Sequence, residues 1–356
     1  MQSQRALKES CALTWLLRGP LPVQGLATLV SEYGNVLEGH CCRVLEAHPR
    51  GVRMLATLPG LLAGSDYNVI CVWNATTWTL VHTLKGHTRE IMSLVTMSSH
   101  LLASGSADHT VRVWDTSIGA CVHMFETRNY VCVLAAYPGG NLVIGTGDIL
   151  QLWNFETRET CTRFVGHTKT VYAIALLPAH RLASGSRDAT VRVWDVPSGQ
   201  CVHHLQGHRR HVHTLVALPD DQLASGSGDR TVRVWDTVAG VCLWTLDGHA
   251  GSVSVLAFNS KLISGSSDKT VRVWDLATGT CLHQLTARHA LKNMVVMPGG
   301  LLASCSDAKE MQVWDLHAGA LFLELFGHTD SVMSAILLPD GTLASASLDH
   351  TVRVWG

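Results

Sequence analysis

Residues 185–195 read GSRDATVRVWD, and four other stretches repeat the phrase almost unchanged: GSADHTVRVWD at 105, GSGDRTVRVWD at 226, GSSDKTVRVWD at 265 and ASLDHTVRVWG at 346. The tryptophan near the end of the phrase, or of its degenerate versions, falls at Trp73, Trp114, Trp153, Trp194, Trp235, Trp274, Trp314 and Trp355. Spacings of 41, 39, 41, 41, 39, 40 and 41 residues hold one period over nearly the whole chain. Such a period marks a repeat architecture, not the two or so ordinary domains that this length would suggest. Within a unit, LLASGS and TVRVW are short apolar runs rich in β-branched residues and broken by Gly, Asp and Ser, the pattern of strands. Each Trp is followed by a turn such as DTSIG (115–119), DVPSG (195–199) or DLATG (275–279), whose glycine can take the left-handed conformation that closes a short hairpin. A strand like CVHHLQ (201–206), then Gly-His, then a strand like TVYAIALL (170–177) completes four strands per unit.

Composition narrows the function. With 47% hydrophobic residues the chain can fill a core, and 27 basic against 28 acidic side chains give no whole-molecule attraction to nucleic acid or anionic lipid. Eleven cysteines, an odd number with no CxxC, argue against a secreted disulfide framework or a zinc ribbon. The apolar stretch CALTWLLRGPLPVQGLATLV is interrupted by Arg18, Pro20 and Pro22, which argues against a signal peptide or a membrane span. The expectation is a soluble protein of a reducing compartment, the cytoplasm or the nucleus.

The Gly-His pair, followed about 27 residues later by Trp-Asp with an Asp six positions before the Trp, resembles the WD-repeat family of β-propellers. The resemblance covers residues 41–356 in eight copies, and it implies an all-β, eight-bladed propeller around a central channel. Residues 1–40 would form an N-terminal extension, partly helical, with an amphipathic helix over 4–18 ending at Gly19-Pro20. Because the last unit stops at Trp355-Gly356, its outermost strand is expected from CCRVLEA (41–47), closing the ring.

The family places a His, a strand Ser, a turn Asp and the Trp in one buried hydrogen-bonded group. Carried over, the group is complete in five units: His87, Ser104, Asp108 and Trp114; His167, Ser184, Asp188 and Trp194; His208, Ser225, Asp229 and Trp235; His249, Ser264, Asp268 and Trp274; His328, Ser345, Asp349 and Trp355. Three units depart from it. The first has His48 and Trp73 but Gly64 in the Ser slot and a shifted Asp66, the third has Arg128 for His and a shortened turn at Asp148, and the seventh has Asp307 displaced with Ala308 where Asp is expected. Local looseness is expected in these three.

An Asp-His-Ser set invites a hydrolase reading, but a nucleophilic triad is unique and open to substrate, whereas this set recurs unit after unit. No catalytic residue, cofactor or metal is assigned. His208, His211 and His213 could group around a metal, yet His208 is committed to the buried group. Cys121, Cys161, Cys201, Cys242 and Cys281, each beginning an outer strand, read as small apolar packing, and Arg112, Arg192, Arg233, Arg272 and Arg353, two before each Trp, read as framework.

Binding residues are sought among loop positions that break the repeat. The rim bearing the Gly-His loops and Asp turns carries Arg50, Arg53, Arg89, Arg128, Lys169, Arg187, Arg209, Arg210 and Arg230, with Glu90 the main opposing charge. The other rim holds Asp115, Asp195, Asp220, Asp221, Asp236, Asp275, Asp315 and Asp340. The basic rim would take a partner protein or an acidic or phosphorylated peptide through paired hydrogen bonds from arginine; a merely solvated loop surface is the competing reading. The segment 185–208 also resembles a blade of the propellers that serve as substrate receptors in F-box ubiquitin ligases. There Arg187 matches a phosphate-gripping arginine, while two further arginines of that site correspond to Tyr172 and His213. With Met92 and Met333, Tyr172 and His213 would line a different peptide pocket at the channel mouth. Residues 1–40 leave no room for a full F-box, so the expected role is a non-enzymatic interaction scaffold, with a ubiquitin-ligase substrate receptor using a separate adaptor as the alternative.

Overall fold

The computed structural model describes residues 41–46 and 48–356, so the helix expected over 4–18 lies outside the described residues. Among the described residues, thirty-two strands form eight antiparallel four-stranded sheets, numbered here as blades 1 to 8. Blades 1 to 7 span 54–85, 91–126, 131–164, 171–205, 212–246, 253–286 and 291–325, each a simple meander from an inner to an outer strand. Blade 8 takes three strands from 332–355 and its outer strand from Cys41–Glu46, which pairs antiparallel with Thr351–Trp355. The closing strand is where the chain's interrupted last unit requires it.

No blade has a core of its own. In the second strand, as in LLASGS of blade 2, every residue after the first is buried, and in the third strand the valines and the tryptophan are, so their apolar residues pack against the neighbouring sheet. One such cluster joins Ala103, Val111 and Val113 of blade 2 to Val131, Leu142 and Trp153 of blade 3. The last cluster joins Leu45, Ala344 and Val352 of blade 8 to Val52, Leu62 and Trp73 of blade 1, and so continues the core across the point of closure.

Five blades contain the expected four-residue group with nearly identical geometry. In blade 2, His87 Nδ1 lies 2.8 Å from Asp108 Oδ2 and Nε2 lies 2.8 Å from Ser104 Oγ, while Trp114 Nε1–H donates to that same Oγ at 2.8 Å. Asp108 also accepts from the Thr88 and Thr110 amides and from the Thr110 hydroxyl. Burial would raise the Asp108 carboxyl, but these donors outweigh it and hold the pKa down to about 2; burial pushes the His87 imidazole down. The pair is therefore a carboxylate facing a neutral imidazole, whose Nδ1–H donates to Asp108 and whose Nε2 accepts from the serine hydroxyl. The distances recur for His167, His208, His249 and His328 with their partners.

A second recurrent group explains the glycine ahead of each histidine. The guanidinium of the arginine two before Trp lies against that glycine, so that a Cβ added at Gly86, Gly166, Gly207, Gly248 or Gly327 would sit 2.6, 2.8, 2.6, 2.6 or 2.7 Å from Nη1 of Arg112, Arg192, Arg233, Arg272 or Arg353. In four of these blades the guanidinium carbon also stands 5.8–5.9 Å from the tryptophan ring. Opposite each of the five tryptophans the outer strand carries cysteine, namely Cys121, Cys201, Cys242, Cys281 and Cys41, and Nη1 approaches the sulfur at 3.4–4.0 Å in the first four. Blades 1, 3 and 7 have none of the three residues: Cys71, Gln151 and Gln312 replace arginine, Ala47, Thr127 and Ala287 replace glycine, and Leu80, Thr160 and Leu321 replace the opposed cysteine. The cysteine expectation needs one correction here: Cys161 is the bulge residue beside Thr160, not the residue opposite Trp153, so it stands outside the arginine–cysteine series.

The three irregular blades solve the missing group differently. Blade 3 replaces it with apolar packing, Ile144 filling the serine slot and Phe125 stacking on Trp153 at 4.7 Å. Blade 7 keeps Trp314 Nε1–H to Ser304 Oγ at 2.9 Å, turns the serine hydroxyl onto the Gln312 carbonyl and buries Ala287 and Ala308. In blade 1 the His48 ring has moved toward Trp73, with centroids 5.2 Å apart against 6.1 Å in blade 2, where serine intervenes. Both His48 nitrogens, Ser65 Oγ and Asp66 Oδ2 are buried there without a hydrogen bond, His48 Nδ1 coming no nearer than 3.7 Å to Asp66 Oδ2. Two of these blades have exchanged most of the polar partners of the group for apolar ones, although Asn141 Oδ1 of blade 3 is buried without a partner, and blade 1 keeps the largest set of orphaned groups.

Candidate functional site

The mouth of the channel on the histidine-loop rim is built by a repeated irregularity. In six blades the second residue of the inner strand is an unpaired bulge: Met92, Cys132, Tyr172, His213, Lys292 and Met333. Arg53 and Ser254 hold the equivalent places in blades 1 and 6. The ring therefore unites five of the residues expected to bind a partner, Arg53, Met92, Tyr172, His213 and Met333. It adds Cys132, Ser254 and Lys292, which sequence reading missed because a bulge leaves no mark in the alternation of one strand.

Arg187 and Arg210 stand just outside this ring on exposed loops. The Arg187 amide donates to the Thr170 carbonyl at 2.8 Å, and the Ser227 hydroxyl donates to the Arg210 carbonyl at 3.1 Å, so both backbones are fixed while the side chains stay exposed. Between blades 4 and 5 three rings form a chain, Tyr172 to His211 at 6.4 Å and His211 to His213 at 5.4 Å. Gly228, in the slot that Arg187 fills in blade 4, admits the His211 ring, since a Cβ there would lie 2.6 Å from it. His213 Nε2 is 3.5 Å from Ser252 Oγ, and burial, with His211 adding to it, pushes the His213 pKa down to about 4. A neutral His213 supplies surface and a hydrogen bond rather than charge, unlike the arginine with which it aligned.

Charge on this rim is unevenly compensated. Arg53, one of the residues expected to meet a partner, is ion-paired with Glu90. Around blade 7, Lys292 pairs with Asp307 at 3.1 Å and Arg288 with Glu324 at 3.0 Å. Arg89, Arg128, Lys169, Arg187, Arg209, Arg210 and Arg230, on loops of blades 2 to 5, form no ion pair among the described residues. On the opposite rim Asp115, Asp236, Asp275 and Asp315 accept the amides of their own hairpin turns, and Asp221 pairs with Arg181 at 2.6 Å. Those acids are turn formers first. His208, weighed above as a metal ligand, has both nitrogens engaged, by Asp229 and Ser225.

Eight meandering sheets, the recurrent His-Ser-Asp-Trp group and a loop rim around a channel define a β-propeller interaction module. The chain belongs to the WD40 family: the sequence model for the WD domain, G-beta repeat, matches residues 78–115, 158–195, 199–236, 240–275 and 319–356. Among curated proteins it is similar to nuclear distribution protein PAC1 of Coccidioides posadasii, 29% identical over 47% of this chain and 42% of that one. It also resembles anaphase-promoting complex subunit cdc20 of Dictyostelium discoideum, 30% identical over 38% and 30% of the two chains. The third is E3 ubiquitin-protein ligase COP1 of Pisum sativum, 30% identical over 38% and 21%. The chain matches less than half the length of these relatives. Among solved structures, the computationally designed Ika8 protein superposes with a TM-score of 0.80 at 28% identity, over 87% of this chain and 98% of that one.

Proposed function

We propose that the protein is a non-enzymatic scaffold that binds an acidic or phosphorylated peptide on the histidine-loop rim of blades 2 to 5, with the Tyr172, His211 and His213 rings as its apolar floor. The observation that carries this reading is the arc of seven cations across blades 2 to 5 that form no ion pair among the described residues, set beside the pairing of Arg53 with Glu90 and of Lys292 and Arg288 with Asp307 and Glu324. Arginine offers paired donors to carboxylate or phosphate, and the adjacent rings give a peptide side chain a place to bury. The test is a proximity or pulldown screen comparing the wild type with Arg187→Glu plus Arg210→Glu. Partners lost only from the double variant identify the ligand, and an unchanged partner list retires the proposal. A weakening confined to bare RNA or DNA between about 50 and 200 mM salt would reassign the arc to nucleic acid.

The names of two relatives, an anaphase-promoting complex subunit and an E3 ubiquitin-protein ligase, support a second reading, substrate recognition within a ubiquitin-ligase complex. It requires an adaptor to be captured from cytoplasmic or nuclear extract in a manner dependent on residues 1–40. Capture that survives deletion of that segment counts against it.

A further inference from the structure

We propose that Cys41–Glu46 is an exchangeable latch, which leaves Thr351–Trp355 more readily than any other outer strand leaves its blade and is replaced there by the same strand of a second copy of this chain. Every other outer strand is held to its sheet in two ways. It follows its third strand through a short hairpin, such as 116–119 between Asp115 and Ala120. Its far end is then fastened, in five blades by a histidine bound on both nitrogens, and after blades 2 and 6 by the Thr127 and Ala287 amides donating to the His109 and Lys269 carbonyls at 2.7 Å. The closing strand has no hairpin to Trp355, and the histidine that follows it, His48, makes no hydrogen bond through its ring and keeps only a 3.7 Å approach of its Nδ1 to Asp66 Oδ2.

The surroundings allow that strand to go without the ring coming apart. A shallow, open hollow lies beside it, lined by Glu46, His48, Pro49, Asp349, His350 and Thr351, as another does beside the outer strand of blade 2. Beyond the hollow, Gly51 lies against the Leu348 backbone and the Val52 amide donates to the Ser347 carbonyl at 2.8 Å, so blade 1 stays docked on blade 8. What is lost is one strand pairing, the burial of Leu45, the one buried side chain of the strand, and the packing of the half-buried Cys41. The bared edge of Thr351–Trp355 is a row of unpaired amides and carbonyls that recruits a strand. Its register takes Leu45 opposite Val352 and Cys41 opposite Trp355, a fit that this chain's own segment satisfies, and exchange of an identical element between two copies is a low-cost route to a dimer.

Gly356→Cys tests the idea on the full chain. Cys42 Sγ lies 3.3 Å from where a Cβ on residue 356 would stand, so a disulfide can close across the latch. Within a monomer it joins a chain to itself; within an exchanged dimer it joins two chains. Concentrated protein, oxidised and run on a denaturing non-reducing gel, is expected to yield a covalent dimer that reductant dissolves and that Cys42→Ser plus Gly356→Cys lacks. Amide hydrogen exchange is expected to be at least about tenfold faster in Cys41–Glu46 than in the outer strand Cys201–Leu205. Gly64→Ser, which restores a hydroxyl beside His48, should lower the dimer yield several-fold. Intrachain bonds only, or protection of Cys41–Glu46 equal to that of Cys201–Leu205, overturns the proposal, and these two readouts stand whether or not Gly64→Ser folds.

Discussion

Blade 5 and blade 1 carry the same histidine and tryptophan, yet one is saturated with hydrogen bonds and the other is not. In blade 5, Asp229 accepts from His208, from the Arg209 and Thr231 amides and from the Thr231 hydroxyl, and Ser225 receives the Trp235 N–H. In blade 1 the loss of one hydroxyl, at Gly64, lets the His48 ring slide onto Trp73 and strands its nitrogens. A buried polar group is worth having only as a completed circuit, and deleting one member is worse than deleting several together. Blades 3 and 7 show the other way out, having shed most of the circuit at once.

Acid should expose this difference most strongly. The native state keeps Asp108, Asp268 and Asp349 ionised down to about pH 2, against about 3.9 in an unfolded chain, so their contribution is complete above about pH 4 and drains as the pH falls toward 2. An earlier loss precedes it. His213 stays neutral down to about 4 while the unfolded chain takes up its proton near 6.5, so stability declines between those values as the pH falls. Chemical denaturation across pH 7 to 2 is expected to show both steps, with the upper one reduced in His213→Phe; a flat profile above pH 4 would contradict the second assignment.

Single substitutions come next. Asp229→Ala leaves a buried imidazole and two amides without their acceptor and should cost roughly 3 kcal/mol, whereas Asp66→Ala, which removes the caps on Asn68 and Val69 and only a long 3.7 Å contact to His48, should cost about 1. Equal losses in urea unfolding would erase the contrast. Gly86→Ala should cost on the order of 1–3 kcal/mol by driving a methyl into the Arg112 guanidinium. Adding Arg112→Gln, which copies the Ala287 and Gln312 of blade 7, should recover at least half of that loss in a double-mutant cycle. The smallest effect is in hydrogen exchange: second and third strands of blades 3 and 7 should be protected like those of blade 5, with only blade 1 less so.

Much of this molecule could be read from its sequence because a repeat states its rules many times. Eight tryptophans gave the number of blades, and CCRVLEA announced the closing strand because one unit was short of it. The binding rim was less legible. Arg187 and Arg210 stood out as loop residues that break the repeat, but the pairing of Arg53 with Glu90 joins blades 1 and 2 in space, and a single sequence does not say which loop charges meet. The role of His211 was hidden for a related reason, since its ring rests where Gly228 lacks a side chain and the two residues are read as separate loops until the strands are paired. The irregular blades were legible as departures, not as outcomes, because whether an absent partner leaves a hole or an apolar plug depends on neighbours such as Phe125 from the adjacent sheet.

The coupling of glycine, arginine and cysteine around each regular tryptophan bears on how such rings can be rebuilt. The glycine lies on the loop leading into a blade, the arginine on its third strand and the cysteine on its outer strand, so in blades 2, 4, 5 and 6 a recombination point placed between blades carries the three together, whereas blade 8 draws its cysteine, Cys41, from the other end of the chain. A junction cut inside a blade, by contrast, can import an arginine without its glycine. Grafted blades should therefore be exchanged as whole cassettes from loop to outer strand, and mosaics that divide them should express poorly even where every individual residue is borrowed from a natural unit.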